Sequence, residues 1–317
     1  MELSLRVMAI EWQAEGILSL RLQAAGGAPL PGYSAGAHLD LHLAPGLVRS
    51  YSLIDGYPGD APTAYRVAVA LDARTRGGSR HVHEKLRVGE WVRASLPRNH
   101  FALVEDSPFT QLVAGGIGIT PLMAMADRLQ ALGRAWRLRW CVRSEDQLPF
   151  RDWLQRHASH IDLHIDARDG GVWAGWSGLI DGLPVGAHIY ACGPAPMLVA
   201  FEQATQALAS SQVHLERFGA APPPPQAGDA VFTVRLQRSG RTVTVAPEQT
   251  VLEALQAVGM DPPSSCLQGV CGACETRVLA GVPDHRDLVL SEQERARGDT
   301  MMICCSRAKT TEIVLDL

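Results

Sequence analysis

No uncharged apolar run in this 317-residue chain is long enough to cross a bilayer. The longest, Leu112 to Ala126, falls short of the ~20 residues of a spanning helix and is broken by Gly115, Gly116, Gly118 and Pro121. Blocks of like charge are missing too. Lysine occurs only at positions 85 and 309, so nearly all the basic residues are arginine, and the formal net charge is −4. A nucleic-acid footprint and an electrostatic membrane anchor are therefore not expected. The opening residues, MELSLRVMAIEW, carry Glu2 and Arg6 and lack an apolar core with a small-residue cleavage site, which predicts no secretion signal and a reducing, cytoplasmic setting. Disulfides are rare there, so the seven cysteines are expected as free thiols, catalytic groups or metal ligands. Internal repeats are absent. What remains is an ordinary globular composition, 46% hydrophobic and 20% charged, at a length that usual domain sizes divide into roughly two domains.

The clearest boundary is 219–229, where four consecutive prolines favour an extended, semi-rigid linker. Before it, two textures differ. Short alternating apolar runs punctuated by Gly and Pro (3–9, 17–22, 39–43, 48–54, 65–71 and 91–96) predict a small antiparallel β-barrel over 1–106. Over 107–218, near-continuous apolar strands at 111–114, 138–142, 161–165, 189–191 and 213–215 alternate with helical stretches at 122–132 and 197–208. That alternation predicts a parallel, doubly wound α/β sheet. In 230–317, strands at 231–236 and 241–245 turn at Ser239-Gly240, and Val251, Leu252, Leu255 and Val258 stand at helical spacing.

Cys266, Cys271 and Cys274 are spaced C-x4-C-x2-C, and 29 residues separate Cys274 from Cys304. Four such thiolates suit a [2Fe-2S] cluster, because a glycine-rich loop can wrap three ligands around the irons while a distant cysteine closes the cage. A four-cysteine zinc site usually pairs two short knuckles, and only one is present. Zinc and buried free thiols are the alternatives. Either of the adjacent Cys304 and Cys305 can supply the fourth sulfur, and spacing favours Cys304. Residues 231–317 resemble plant-type ferredoxins, which implies a β-grasp fold.

Gly115-Gly116-Ile117-Gly118-Ile119-Thr120-Pro121 follows an apolar strand and opens a helix, where backbone amides and the helix dipole attract a diphosphate. Cys192-Gly193-Pro194 ends a second apolar strand, and ligands of open α/β sheets bind beyond such strand ends. On Val48-Arg49-Ser50-Tyr51-Ser52, period-2 geometry puts a cation and a flat amphipathic ring, Arg49 and Tyr51, on one face. Arg76-Gly77-Gly78-Ser79 precedes a short helix, 81–86, and can hold a terminal phosphate.

The order R-x-Y-S, RGGS, GGxGxTP, CGP resembles the ferredoxin–NADP reductase superfamily. With a ferredoxin last, nearly the whole chain resembles its phthalate dioxygenase reductase family. That resemblance implies that Arg49 and the 76–79 segment bind an FMN phosphate, with FAD as the less favoured flavin. It implies that Tyr51 contacts the ribityl chain or ring, that Ser52 lies near the reactive ring nitrogen, that Ala68 and Val69 line the flavin, and that Phe218 stacks on it. Thr120 and Cys192 are implied near the nicotinamide, with Gly115, Gly116, Gly118, Gly193 and Pro194 shaping its pocket. Arg143 and Ser144 fall where the adenosine ribose should sit; the acidic Glu145 and Asp146 beside them favour NADH over NADPH, against Arg143. The implied activity passes electrons from NADH through the flavin and cluster, one at a time, to a Rieske-type terminal oxygenase acting on an aromatic acid, aryl ether or quaternary amine. A monomer is expected. The competing expectation is a non-enzymatic binding or redox-sensing module with a metal at the four-cysteine site.

Overall fold

The structure is a computed structural model that describes residues 2–56, 61–72, 77–219, 229–264 and 266–317. Its two compact units are residues 1–218 and 219–317. Most of the proposed linker (220–228) and Arg76 lie outside the described residues. Among the described residues no helix is long and apolar enough to cross a membrane.

The first unit begins with β1 (Glu2–Ala14), β2 (Ile17–Ala24), β3 (His38–Ala44), β4 (Leu47–Ser52), β5 (Tyr65–Ala70), α1 (Gly78–Glu84) and β6 (Trp91–Ser95). The strands pair antiparallel in the order β4-β3-β6-β1-β2-β5. A bridge between Leu53 and Val67 joins the two outer strands and closes the sheet. Alternation explains the filling: Leu5, Val7, Leu20, Leu22, Leu39, Leu41, Val67 and Val69 point inward into one core.

The chain continues through β7 (Thr110–Gly115), α2 (Ile119–Ala131), β8 (Trp136–Val142), α3 (Arg151–Arg156), β9 (Ile161–Ile165), β10 (His188–Cys192), α4 (Ala195–Ala204) and β11 (Val213–Glu216). These five strands are parallel, in the order β11-β10-β7-β8-β9. β7 leads to β8 on one side and pairs with β10 on the other, so the strand order reverses between β7 and β10. A crevice beyond the strand ends is the ordinary ligand site of such a sheet. Its largest core cluster also takes in Ala35, Ile54, Ala68 and Phe101 from the barrel, so barrel and sheet share apolar packing within the unit.

The second unit comprises β12 (Phe232–Leu236), β13 (Thr242–Val245), α5 (Val251–Ala257), β14 (Glu275–Ala280), β15 (Pro283–Asp284), α6 (Glu292–Arg297), β16 (Thr300–Met302), β17 (Arg307–Ala308) and β18 (Glu312–Leu315). β12 and β13 form the hairpin, β12 runs parallel to β18, and the sheet order is β13-β12-β18-β14-β16. Capping boxes start both helices, Thr250 with Glu253 and Ser291 with Glu294. Buried Arg286 and Arg307 both reach Asp229, fixing it to the body of this unit.

Candidate functional site

β4 carries Arg49, Tyr51 and Ser52 along the barrel edge next to α1. Arg49 lies across the start of that helix: a Cβ at Gly78 would fall 2.5 Å from its Cγ and 2.8 Å from its Nε. Glycine at 78 is therefore what lets the guanidinium lie over the turn. Gly77 takes φ +94, a conformation that favours glycine, and the Ser79 hydroxyl accepts a hydrogen bond from the Asp72 amide (3.2 Å). Tyr51 is half-buried against the barrel core, and burial raises its hydroxyl pKa. Ala68 and Val69 are buried on β5; the Val69 carbonyl is 3.0 Å from His83 Nε2, which ties α1 to the strand.

At the switch point the two glycine turns pack on each other. A Cβ on Gly118 would stand 2.2 Å from the Cys192 carbonyl oxygen, and one on Gly115 would stand 2.5 Å from Pro194 Cδ. A Cβ on Gly193 would meet Met197 at 2.5 Å. These glycines serve the approach of turn to turn. Gly116, at φ +54, has open space where a Cβ would be, and its carbonyl is held by Trp140 Nε1 (3.2 Å). Thr120 is buried and its hydroxyl donates to the Ile117 carbonyl (3.0 Å), which leaves the hydroxyl only its acceptor lone pairs for any other partner. Arg143, exposed, and Ser144, half-buried, follow β8, with exposed Glu145 and Asp146 next to them. Phe218 is 46% exposed, two residues past the end of β11.

One carboxyl joins these parts, and sequence reasoning missed it. Glu216 pairs with Cys192 in the β10–β11 register, and the Ser52 hydroxyl hydrogen-bonds its carboxylate. The residue is half-buried overall, but its Oε2 is fully enclosed with no hydrogen-bond partner among the described residues. Burial pushes its pKa up to about 8, against a smaller lowering by Ser52. Burial, and then the Glu216 charge, also raise the Cys192 thiol well above its ordinary value, so Cys192 is an uncharged wall rather than a nucleophile.

A pH dependence follows. Between an ordinary Glu value near 4.5 and about 8, the folded chain keeps this proton while the unfolded chain has released it, so this group's contribution to stability falls as pH rises through that window. Glu216→Gln removes that slope. Relative to wild type, the variant is expected to gain roughly 2 kcal/mol between pH 5.5 and pH 8, read as denaturation midpoints at the two pH values. Parallel wild-type and variant curves would contradict it.

In the second unit the loop 266–274 curls through positive φ at Leu267, Gly269 and Gly272. The curl aims amides at sulfur: Gln268 and Val270 donate to Cys266 Sγ at 3.3 and 3.4 Å, and the Cys266 amide donates to Cys271 Sγ at 3.4 Å. Beyond β16, the Ile303 amide donates to the Cys274 carbonyl, delivering Cys304 to the loop. Hydrogen bonds from Cys266 and Cys274 hold the Cys304 thiol far down toward thiolate. Cys305 hydrogen-bonds the Cys304 thiol, and its Sγ also lies against the Gly269 backbone and the Met302 carbonyl. Four buried cysteines, with amides directed at the Cys266 and Cys271 sulfurs, fit a [2Fe-2S] cluster by donor type.

A barrel and a nucleotide-type parallel sheet joined through Ser52 and Glu216, followed by a four-thiol ferredoxin unit, define an iron–sulfur flavoprotein reductase. Residues 234–309 match the 2Fe-2S iron-sulfur cluster binding domain, which makes the second unit an iron–sulfur rather than a zinc domain. Over 314 residues the chain is 48% identical to phenoxybenzoate dioxygenase subunit beta of Ectopseudomonas oleovorans, covering 99% of this chain and 97% of that one. The solved structure of phthalate dioxygenase reductase, described as modular for electron transfer from pyridine nucleotides to [2Fe-2S], matches with a TM-score of 0.73 and 37% identity. It covers 100% of this chain and 98% of that chain. An intact type IV self-sufficient cytochrome P450 monooxygenase matches with a TM-score of 0.90 and 40% identity over 100% of this chain, which spans 41% of that protein. The chain belongs to the phthalate dioxygenase reductase family and is an oxidoreductase.

Proposed function

We propose that this chain is the NADH-dependent reductase of a two-component oxygenase, with FMN in the barrel, NADH at the switch point, a [2Fe-2S] cluster on Cys266, Cys271, Cys274 and Cys304, and a Rieske-type terminal oxygenase as acceptor. The observation that carries it is the meeting of Ser52, Glu216 and Cys192 at the end of the β7–β10 crevice. Barrel and nucleotide sheet thereby converge on one spot. When bound, a flavin accepts the two electrons of a hydride and yields them singly to a one-electron cluster.

The protein's part is positioning and exclusion of water. Ser52 offers a hydroxyl to the flavin ring, and Cys192 and Thr120 wall the nicotinamide side. Glu216, protonated below about pH 8, keeps a buried charge out of that space. Arg49 over Gly77, Gly78 and Ser79, with Arg76 preceding them in the chain, makes a compact seat for a terminal phosphate, which favours FMN over FAD. Tyr51, Ala68, Val69 and Phe218 complete the flavin surround. Gly115, Gly116, Gly118, Gly193 and Pro194 shape the crevice, Arg143 and Ser144 take the adenosine end, and exposed Glu145 and Asp146 repel a 2′-phosphate, which favours NADH. A cluster of this type runs near −400 mV, low enough to reduce a Rieske centre at about −150 mV or above. Free thiols at the cysteines suit a reducing, cytoplasmic setting.

The flavin is identified by denaturing the purified protein and resolving the released cofactor by chromatography and mass. FMN is expected at one per chain. Release of FAD would overturn the phosphate assignment.

A further inference from the structure

Trp140 stands near the end of β8, fully buried and paired with Ala114 in the β7–β8 register, so its indole lies close to the glycine turn that follows β7. A phenylalanine or leucine would fill that core without a polar atom. The indole adds one donor, and a buried donor has to be given an acceptor. Here the acceptor is the Gly116 carbonyl, 3.2 Å from Nε1, which also receives the Ile119 amide. Core packing alone does not call for that bond.

Its effect is on the direction of one peptide. In a planar trans peptide the C=O and the next N–H point opposite ways, so holding the Gly116 carbonyl on the indole turns the Ile117 N–H away from Trp140 and the core around it. Gly116 needs such a hold: at φ +54, with nothing within 4 Å of where a Cβ would stand, glycine has both the freedom and the room to flip this peptide. The rest of the turn is closed. Gly115 and Gly118 are buried against Pro194 and the Cys192 carbonyl, whereas Gly116 and Ile117 are only half-buried, so theirs is the peptide left to face the crevice.

We propose that Trp140 is a positioning residue for the nucleotide: through the Gly116 carbonyl it aims the Ile117 N–H into the crevice, where that amide donates to a diphosphate oxygen. The inference rests on the nucleotide crevice proposed above and adds a residue that never touches the ligand. The indole acts on the diphosphate and not on the reacting ring, so it sets affinity and leaves the chemical step alone.

The probe is ADP-ribose, which carries the diphosphate without the nicotinamide, titrated calorimetrically into the holoprotein. Trp140→Phe is expected to weaken it about fivefold, in the range of one net hydrogen bond, and to raise the NADH KM by a like factor with kcat within about twofold of wild type. Phenylalanine also leaves a void, so the volume control is Trp140→3-benzothienylalanine, which keeps the bicyclic ring and puts sulfur in place of the N–H. That variant is expected to lose the same affinity while keeping wild-type flavin and cluster absorbance. Wild-type affinity for ADP-ribose in the benzothienyl variant, or a fall in kcat at unchanged KM, would overturn the proposal. Wild-type protein that binds no ADP-ribose would overturn the crevice reading itself, and this inference with it.

Discussion

Removing residues 230–317 is expected to leave NADH-driven ferricyanide reduction within about twofold of the full chain and to abolish cytochrome c reduction. The first half of that result rests on how the molecule divides. Residues 1–218 form a compact unit with cores of their own in the barrel and the parallel sheet, and the residues proposed for flavin and nucleotide, from Arg49 to Phe218, all lie within it. A unit with its own core can fold after truncation beyond its boundary. The second half rests on the thiols. All four proposed cluster ligands lie in 219–317, so the truncated chain keeps the site for a two-electron donor and loses the site that passes single electrons to a protein acceptor. Truncated protein that still reduces cytochrome c at the full-length rate would show that the ferredoxin unit is not on the route.

Cys304→Ser is expected to abolish the visible cluster absorbance, while Cys305→Ser keeps it. The two sulfurs are adjacent in sequence but face different surroundings. Cys304 shares hydrogen bonds with Cys266 and Cys274, whereas Cys305 has Cys304 and Ser306 as its polar side-chain neighbours and rests on the Gly269 backbone, where a Cβ would lie 2.5 Å from its sulfur. Losing one of four thiolates opens the cage at one iron, and serine oxygen is a harder, poorer ligand for it. Loss of the chromophore in Cys305→Ser with retention in Cys304→Ser would reverse the ligand assignment. Loss in both would make Cys305 a required support of the loop.

Much of this was legible from spacing alone. Six barrel strands and five parallel strands follow from alternation and from continuous apolar runs, because burial on one face or on two leaves those patterns directly in the chain. The cysteine spacing is a local signature that survives without any tertiary information. Glu216 was not legible as a functional group: one carboxylate at a strand end has no pattern, and its meaning comes from Ser52, contributed by the barrel. Gly115, Gly118 and Gly193 were read as room for a ligand, but the sheet order makes β7 and β10 neighbours and turns that room into contact between two turns. The helix at Glu292–Arg297 was missed although Ser291 and Glu294 form a capping box that the S-x-x-E spacing announces. Arg151–Arg156 had no such signal, since it starts behind Phe150 in a left-handed conformation with φ 54.

The most direct test of the central claim is an anaerobic titration of the holoprotein with NADH, followed by visible absorbance and by electron paramagnetic resonance. The account predicts bleaching of the flavin together with the rise of a reduced [2Fe-2S] signal in the full chain, with no such signal in the chain lacking residues 230–317. Colourless protein, or a flavin that bleaches while the cluster stays oxidised, would contradict it.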